Sequence, residues 1–238
     1  MDNSDFLSLQ QTLETNPLWY QNDRIKYLVS LFEKKQLSKM ERSEKSEFKR
    51  LLKQSLFYIG ENGYNWDQWR LPTDCVVIHH TSSSPTISVK ELNVLGLRLY
   101  IKQYLNDEDV INKPLYSGHY WFGKPATKDN MCFVSYHFLI RPNGKIIQLT
   151  DTDAYLWHAG NLEVNRKSIS IALAGKFINK EPTEEAMQAL SGLIKTLSIK
   201  KERIYGHNEV INKELLGETE CPGNLFENNW KEKILKNV

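Results

Sequence analysis

Six histidines and three cysteines carry most of the chemistry open to this chain of 238 residues. Three of the nine stand where a chain turns its side chains toward a site. His79 ends the β-branched run Cys75-Val76-Val77-Ile78-His79-His80. That is the C-terminal end of an expected strand, where α/β folds tend to place their sites. His207 stands in the run YGHNEV, just after an expected short strand. Cys221 stands in TECPGNLF, where Pro222 and Gly223 force a turn that exposes a thiolate. Two imidazoles and one thiolate are a sound ligand set for catalytic zinc, which takes three protein ligands and keeps one position open. The spacing alone supports this weakly, because His79 lies far upstream of the other two. An isolated histidine is more often a satisfied polar group than a ligand.

The remaining candidates have plainer readings. His80 follows His79 along a strand, so its side chain points to the opposite face and serves the core or braces the site. His137 stands next to Tyr136 and faces away from it, as a structural residue. His119 lies in the aromatic segment YSGHYWFGK, which either covers a groove or caps the core. Cys75 and Cys132 read as small buried residues.

The elements that position these residues follow from periodicity. The first 70 residues read as helical and polar. Between Asp23 and Leu56 the apolar residues Ile25, Leu28, Val29, Phe32, Leu37, Met40, Phe48, Leu51 and Leu52 recur at helical spacing amid dense Lys and Glu. These are solvated faces of two or three helices rather than a binder of anionic surfaces. The stretch GENGYNWDQWRLPTD looks like a link into a second domain. From Asp74 the pattern alternates between strands and helices. Ser88 with Glu91 forms a capping box for a helix that carries Leu92, Leu95, Leu99 and Leu105. Residues 106–131 are irregular, and a loop of that length is often functional. VSYHFLIR and KIIQLT flank Pro142-Asn143-Gly144, a strong hairpin signal. SISIALAG reads as a strand, Thr183 opens a helix, and the tail from Phe226 reads as a short helix packed by Trp230 and Leu235. The expected architecture is α/β, a central mixed β-sheet flanked by helices and preceded by a small helical region. The expected division is a helical region of unknown role over 1–70 and an α/β domain over 71–238.

Composition narrows the partners. With 31 basic and 29 acidic residues the formal net charge is +2, so no nucleic-acid footprint shows. Aromatic residues make up 11% and hydrophobic residues 40%, which fits a folded chain. No segment approaches the ~20 apolar residues that span a bilayer. The N-terminal run MDNSDFLSLQQ is acidic and polar, unlike a secretory leader. The expectation is a protein made in the cytoplasm that works as a monomer.

Taken in order, VVIHHTSS, SYHFLIRPNGKIIQLT, WHAGN, SISIALAG, YGHNEV and TECPGNLF resemble the zinc-dependent N-acetylmuramoyl-L-alanine amidases, the family that includes phage-lysozyme-type amidases and the peptidoglycan recognition proteins. The resemblance covers about residues 74–226. It implies a hydrolase that cuts the amide between N-acetylmuramic acid and the first L-alanine of the peptidoglycan stem, using zinc-activated water. By motif it implies His79, His207 and Cys221 as zinc ligands and Tyr136 as the catalytic tyrosine. Thr219, two residues before the cysteine, matches members with threonine there, and it is expected to join Tyr136 in stabilising the oxyanion. Trp157 and His158, at the expected groove wall, are expected to touch substrate. Asn165 and Arg166 are expected to meet a stem-peptide carboxylate, Arg166 by a bidentate contact. Two features depart from the family. The segment between His207 and Cys221 is longer than in the recognition proteins, and the loop before Tyr136 is long. The rival readings are a recognition module that binds muropeptide without cutting it, and a zinc peptidase that cuts within the stem. An intact ligand set argues for catalysis.

Overall fold

The structure, a computed structural model, describes residues 3–63 and 65–238. The expected reading of the N-terminal run at Met1 and Asp2, and of the link at Tyr64, lies outside the described residues. The described residues fall into two compact units, one comprising residues up to Asn65 with 89–118 and 125–134, the other comprising 66–88, 119–124 and 135–238.

The first unit is helical. Helices α1 (Asn3–Thr15), α2 (Asp23–Ser30) and α3 (Lys39–Lys53) come from the polar N-terminal region. Asn22 caps α2 by accepting from the Arg24 and Ile25 amides. Ser38 and Glu41 form a reciprocal capping box at the start of α3. The apolar stripes Ile25, Leu28 and Val29 on α2 and Phe48, Leu51 and Leu52 on α3 turn inward. Helix α4 (Val89–Asn106) belongs to this unit as well. Lys49 and Lys53 of α3 pair with its Glu91. At Gly96 a side chain is impossible, because a Cβ there would collide with the Phe133 carbonyl. Trp19, Phe57, Phe133 and Tyr100 form an aromatic core, with neighbouring ring centroids 5.3–6.1 Å apart. The irregular stretch after α4 is tied down by the Tyr20 hydroxyl, which donates to the Ile111 carbonyl at 2.6 Å and has the Lys113 carbonyl 2.9 Å away. The compact units do not follow the expected division at residue 70, because α4 shares its core with α3.

The second unit carries the sheet. Its strands are β1 (Cys75–His80), β2 (Phe138–Ile140), β3 (Ile146–Gln148), β4 (Ser168–Leu173) and β5 (Ile204–Gly206), in the order β3-β2-β4-β1-β5. All neighbours are parallel except β2 and β3, which the Asn143-Gly144 turn joins as the expected hairpin. The sheet is therefore mixed, as the sequence predicts. Three short helices, α5 (Leu162–Asn165), α7 (His207–Val210) and α8 (Lys213–Leu216), lie in the connections around the site. The helices α6 (Glu184–Thr196) and α9 (Lys231–Leu235) cover one face, α9 following a π turn at Phe226–Trp230.

The register sorts each strand into two faces. Val76, Ile78, Ile169, Ile171 and Leu173 point one way and pack on Leu190 and Ile194 of α6, together with Phe226, Trp230 and Ile234. His79 and Val77 point the other way, on the same face as Ser168, Ser170 and Ala172. A hydrophobic core on one face thus leaves the other for polar chemistry. Among the described residues no helix is long and apolar enough to cross a membrane.

Candidate metal centre

Each proposed ligand is delivered by a different local device. Strand β1 carries His79 to its C-terminal end, fully buried. Strand β5 ends at Gly206, and His207 opens α7 directly after it. Gly206 must be glycine, since a Cβ would sit 2.5 Å from Asn208 Oδ1 and 2.8 Å from the Phe226 ring. Its backbone N–H donates to Glu209 Oε2 at 2.6 Å, which closes the turn. Cys221 precedes a cis peptide bond to Pro222. Gly223 then has φ of 141° and approaches the Phe177 carbonyl so closely that a Cβ would lie 2.1 Å away. The Cys221 amide donates to Thr219 Oγ1 at 3.2 Å, and the Asn208 amide donates to the Cys221 carbonyl at 2.8 Å. The cysteine turn is thereby braced against α7.

The three potential ligand atoms lie within 4.8 Å of one another. Cys221 Sγ is 3.7 Å from His79 Nδ1. Tetrahedral zinc with Zn–S of about 2.3 Å and Zn–N of about 2.05 Å spaces a sulfur and a nitrogen ligand about 3.6 Å apart. The His79 and His207 rings have centroids 4.7 Å apart. His207 Nε2 is buried with no hydrogen-bond partner among the described residues. A buried polar nitrogen without a partner is costly, and a metal ligand bond is what would satisfy it. Two neutral imidazoles, one of them with an orphaned nitrogen, and a thiol fit zinc.

Electrostatics favours the ligand forms of the histidines. Burial, and then the neighbouring His207 and His158, hold His79 well below the usual imidazole range. Burial brings His207 down to about 4, opposed by a hydrogen bond to the Ala159 carbonyl. Burial pushes the Cys221 thiol up to about 12, opposed by the His80 amide that donates to its sulfur at 3.3 Å. A metal held there would have to displace that thiol proton.

Tyr136 is half-buried beside His79, with ring centroids 5.2 Å apart. Burial, and then Cys221, raise its pKa, so the phenol keeps its proton. Thr219 is half-buried, and its Oγ1 accepts from Cys221 while its own proton stays available to donate. His80 lies on the core face, where its Nδ1 accepts from the Phe177 amide at 3.1 Å. His137 is buried, bonded to Ser170 Oγ at 2.8 Å and to the Ala154 carbonyl at 3.0 Å. Cys75 and Cys132 are buried and free.

The residues expected to touch substrate separate into two groups. His158 is buried and has both ring nitrogens engaged, by His79 at 3.0 Å and by Ser168 at 2.9 Å. Asn165 is buried too, its Oδ1 accepting from the His158 and Ala159 amides at 3.2 and 2.9 Å. Both face inward, His158 held between His79 and Ser168 and Asn165 satisfying the amides of the WHAGN turn. Trp157 and Arg166 remain accessible. Trp157 is half-buried, edge-on to Trp66 and Tyr155 at 5.0 and 5.2 Å. Arg166 places its guanidinium over the exposed Trp69 ring at 5.9 Å and pairs with Glu163 at 3.2 Å. The sequence reading passed over Trp66 and Trp69 as part of a link. Their spacing of three in NWDQWR, and the tryptophan before His158, were the available signal.

No curated protein matches the sequence. Solved structures to which the chain is similar include the N-acetylmuramoyl-L-alanine amidase LysC from Clostridium intestinale URNW, at 23% identity and TM-score 0.47, covering 74% of this chain and 94% of that one. The endolysin of Thermus scotoductus MAT2119 bacteriophage Ph2119 is similar at 16% identity and TM-score 0.43, over 75% of this chain and 88% of that one. Drosophila peptidoglycan recognition protein SA is similar at 20% identity and TM-score 0.41, over 69% and 78%. The family model described as N-acetylmuramoyl-L-alanine amidase matches residues 69–224, a span that holds His79, Tyr136, His207 and Cys221, and the chain belongs to that family.

Proposed function

We propose that this protein hydrolyses the amide between N-acetylmuramic acid and the first L-alanine of the peptidoglycan stem. The observation that carries the reading is the convergence of His79, His207 and Cys221 around an orphaned His207 Nε2. Zinc held by these three residues would supply Lewis-acid polarisation of the amide carbonyl and acidify water. The protein's own groups do the rest. Tyr136, kept protonated by burial, donates a hydrogen bond to the carbonyl oxygen as negative charge builds there. Thr219 holds the cysteine turn through its oxygen and offers its proton to the same developing charge. Trp157 and Arg166 offer an aromatic face and a guanidinium to the glycopeptide, and exposed Trp69 extends that surface. The partner is peptidoglycan or a soluble muropeptide.

The test is zinc content by elemental analysis, together with mass identification of products from a disaccharide-peptide, on wild type and on Cys221→Ala. About one zinc per wild-type chain, with release of intact disaccharide and free L-alanyl peptide, supports the amidase. Both are expected to vanish in Cys221→Ala. Binding of muropeptide without cleavage by the zinc-loaded protein would make it a recognition module. A shortened stem peptide would make it a peptidase.

A further inference from the structure

We infer that His158 is the positioning residue of the metal centre: it accepts a hydrogen bond from the proton-bearing nitrogen of His79 and is itself anchored by Ser168. The inference rests on reading His79, His207 and Cys221 as metal ligands, and it assigns His158 a role other than substrate contact.

The geometry has one consistent direction. His79 turns Nδ1 toward Cys221 Sγ at 3.7 Å and Nε2 toward His158 Nδ1 at 3.0 Å. A ligand nitrogen must present its lone pair, so the proton of a neutral His79 sits on Nε2. His79 Nε2–H therefore donates, and His158 Nδ1 accepts. The proton of a neutral His158 then sits on Nε2 and donates to Ser168 Oγ at 2.9 Å. The His79 and His158 rings stand 85° apart with centroids at 5.1 Å, so the bond fixes the tilt of the His79 ring as well as its tautomer.

The anchor is rigid. Ser168 opens β4 and is fully buried, and its carbonyl accepts from Arg70 Nη1 at 2.7 Å. The backbone of His158 is held by Asn165 at 3.2 Å. His79, His158 and Ser168 are each at most 7% exposed, so water is not at hand to replace a lost partner. Outer partners of this kind orient ligating imidazoles and raise their basicity, and losing one costs about 10–100-fold in metal affinity.

The test is the zinc dissociation constant, measured by competition with a chromophoric chelator, on wild type and on His158→Ala, His158→Phe, His158→Asn and Cys221→Ala. Thermal unfolding without zinc checks that each variant folds. His158→Ala and His158→Phe are expected to weaken zinc about 10–100-fold. His158→Asn, whose side-chain oxygen can stand in for Nδ1 as the acceptor, is expected to recover much of that loss. A residue that only packs would give the reverse order, with Phe near wild type and Asn weak, and that result would overturn the assignment. Equal affinity across all the His158 variants, with Cys221→Ala still deficient, overturns it too and leaves the ligand set standing. A wild-type protein that takes up no zinc brings down the ligand reading itself. If the His158 variants do not fold, Ser168→Ala carries the test. It removes only the anchor's hydroxyl, and weaker zinc binding is expected, while unchanged binding overturns the assignment.

Discussion

The helical unit keeps its charges in water, whereas the sheet unit takes a row of uncharged polar side chains into its interior. In the first, Glu44 is the one acid buried among the described residues, and it is answered by Arg24 at 2.5 Å and the Tyr27 hydroxyl at 3.2 Å. The other ion pairs of that unit, such as Arg50 with Glu47, lie at the surface. In the second, His79, His137, His158, Ser168 and Ser170 are buried on one face of a sheet whose opposite face is apolar. Burial costs a polar group unless it is paired. In the sheet unit the pairing runs from His79 through His158 to Ser168, and His207 Nε2 has no hydrogen-bond partner among the described residues.

Four measurements sharpen or break this contrast. The largest effect concerns the apolar cores, which should be equivalent. Trp230→Ala in the sheet unit and Phe48→Ala in the helical unit are each expected to lose about 3–5 kcal/mol in denaturant unfolding. A loss under about 1 kcal/mol at either site would mean that the units differ in packing as well as in polarity.

Tyr136→Phe comes next. Removing one preorganised donor is expected to lower kcat by about 10²–10³ with zinc content unchanged. An unchanged kcat would remove the phenol from the reaction and leave the polar face with a metal-binding role only.

Asp67 offers a smaller, pH-dependent effect. Burial lifts its pKa from 3.8 to about 6, although it accepts from the Tyr155 amide at 2.7 Å. The folded protein holds this proton more tightly than the unfolded chain does. The contribution to stability is therefore fully present below pH ~4 and lost as the pH rises through about 6. Asp67→Asn keeps the acceptor oxygen and is expected to be more stable than wild type above that pH by about 1 kcal/mol, allowing for its partial exposure to solvent. Thermal unfolding of both proteins from acid to neutral pH checks it. A difference that does not change with pH would rule Asp67 out as the cause.

The smallest effect is at the surface. Glu47→Ala removes the partner of Arg50 and is expected to change stability by less than about 0.5 kcal/mol. A loss several times larger would show that the helical unit also relies on its charges.

Much of this was legible in the linear chain. The β-branched run ending at His79, the Asn143-Gly144 hairpin, the Thr183 cap and the helical stripes of Phe48, Leu51 and Leu52 are local signals, and each of those elements is present. The opposite facing of His79 and His80 follows from the two-residue period of a strand. His79, His207 and Cys221 were singled out by their motifs, and the structure brings their potential ligand atoms within 4.8 Å of one another.

What only the tertiary structure decided depends on which elements lie side by side. Strand order β2-β4-β1 sets Ser168 and Ser170 on the face of His79, and that order is not written in any local run. The path of the WHAGN turn then decides that His158 and Asn165 point inward to pair with buried groups, while Trp157 and Arg166 stay accessible. Sharing a core with α3 places α4 in the helical unit despite its position in the sequence. Backbone period and turn chemistry are properties of neighbours in the chain, whereas a buried hydrogen bond between distant rings exists only once the fold has removed water from both.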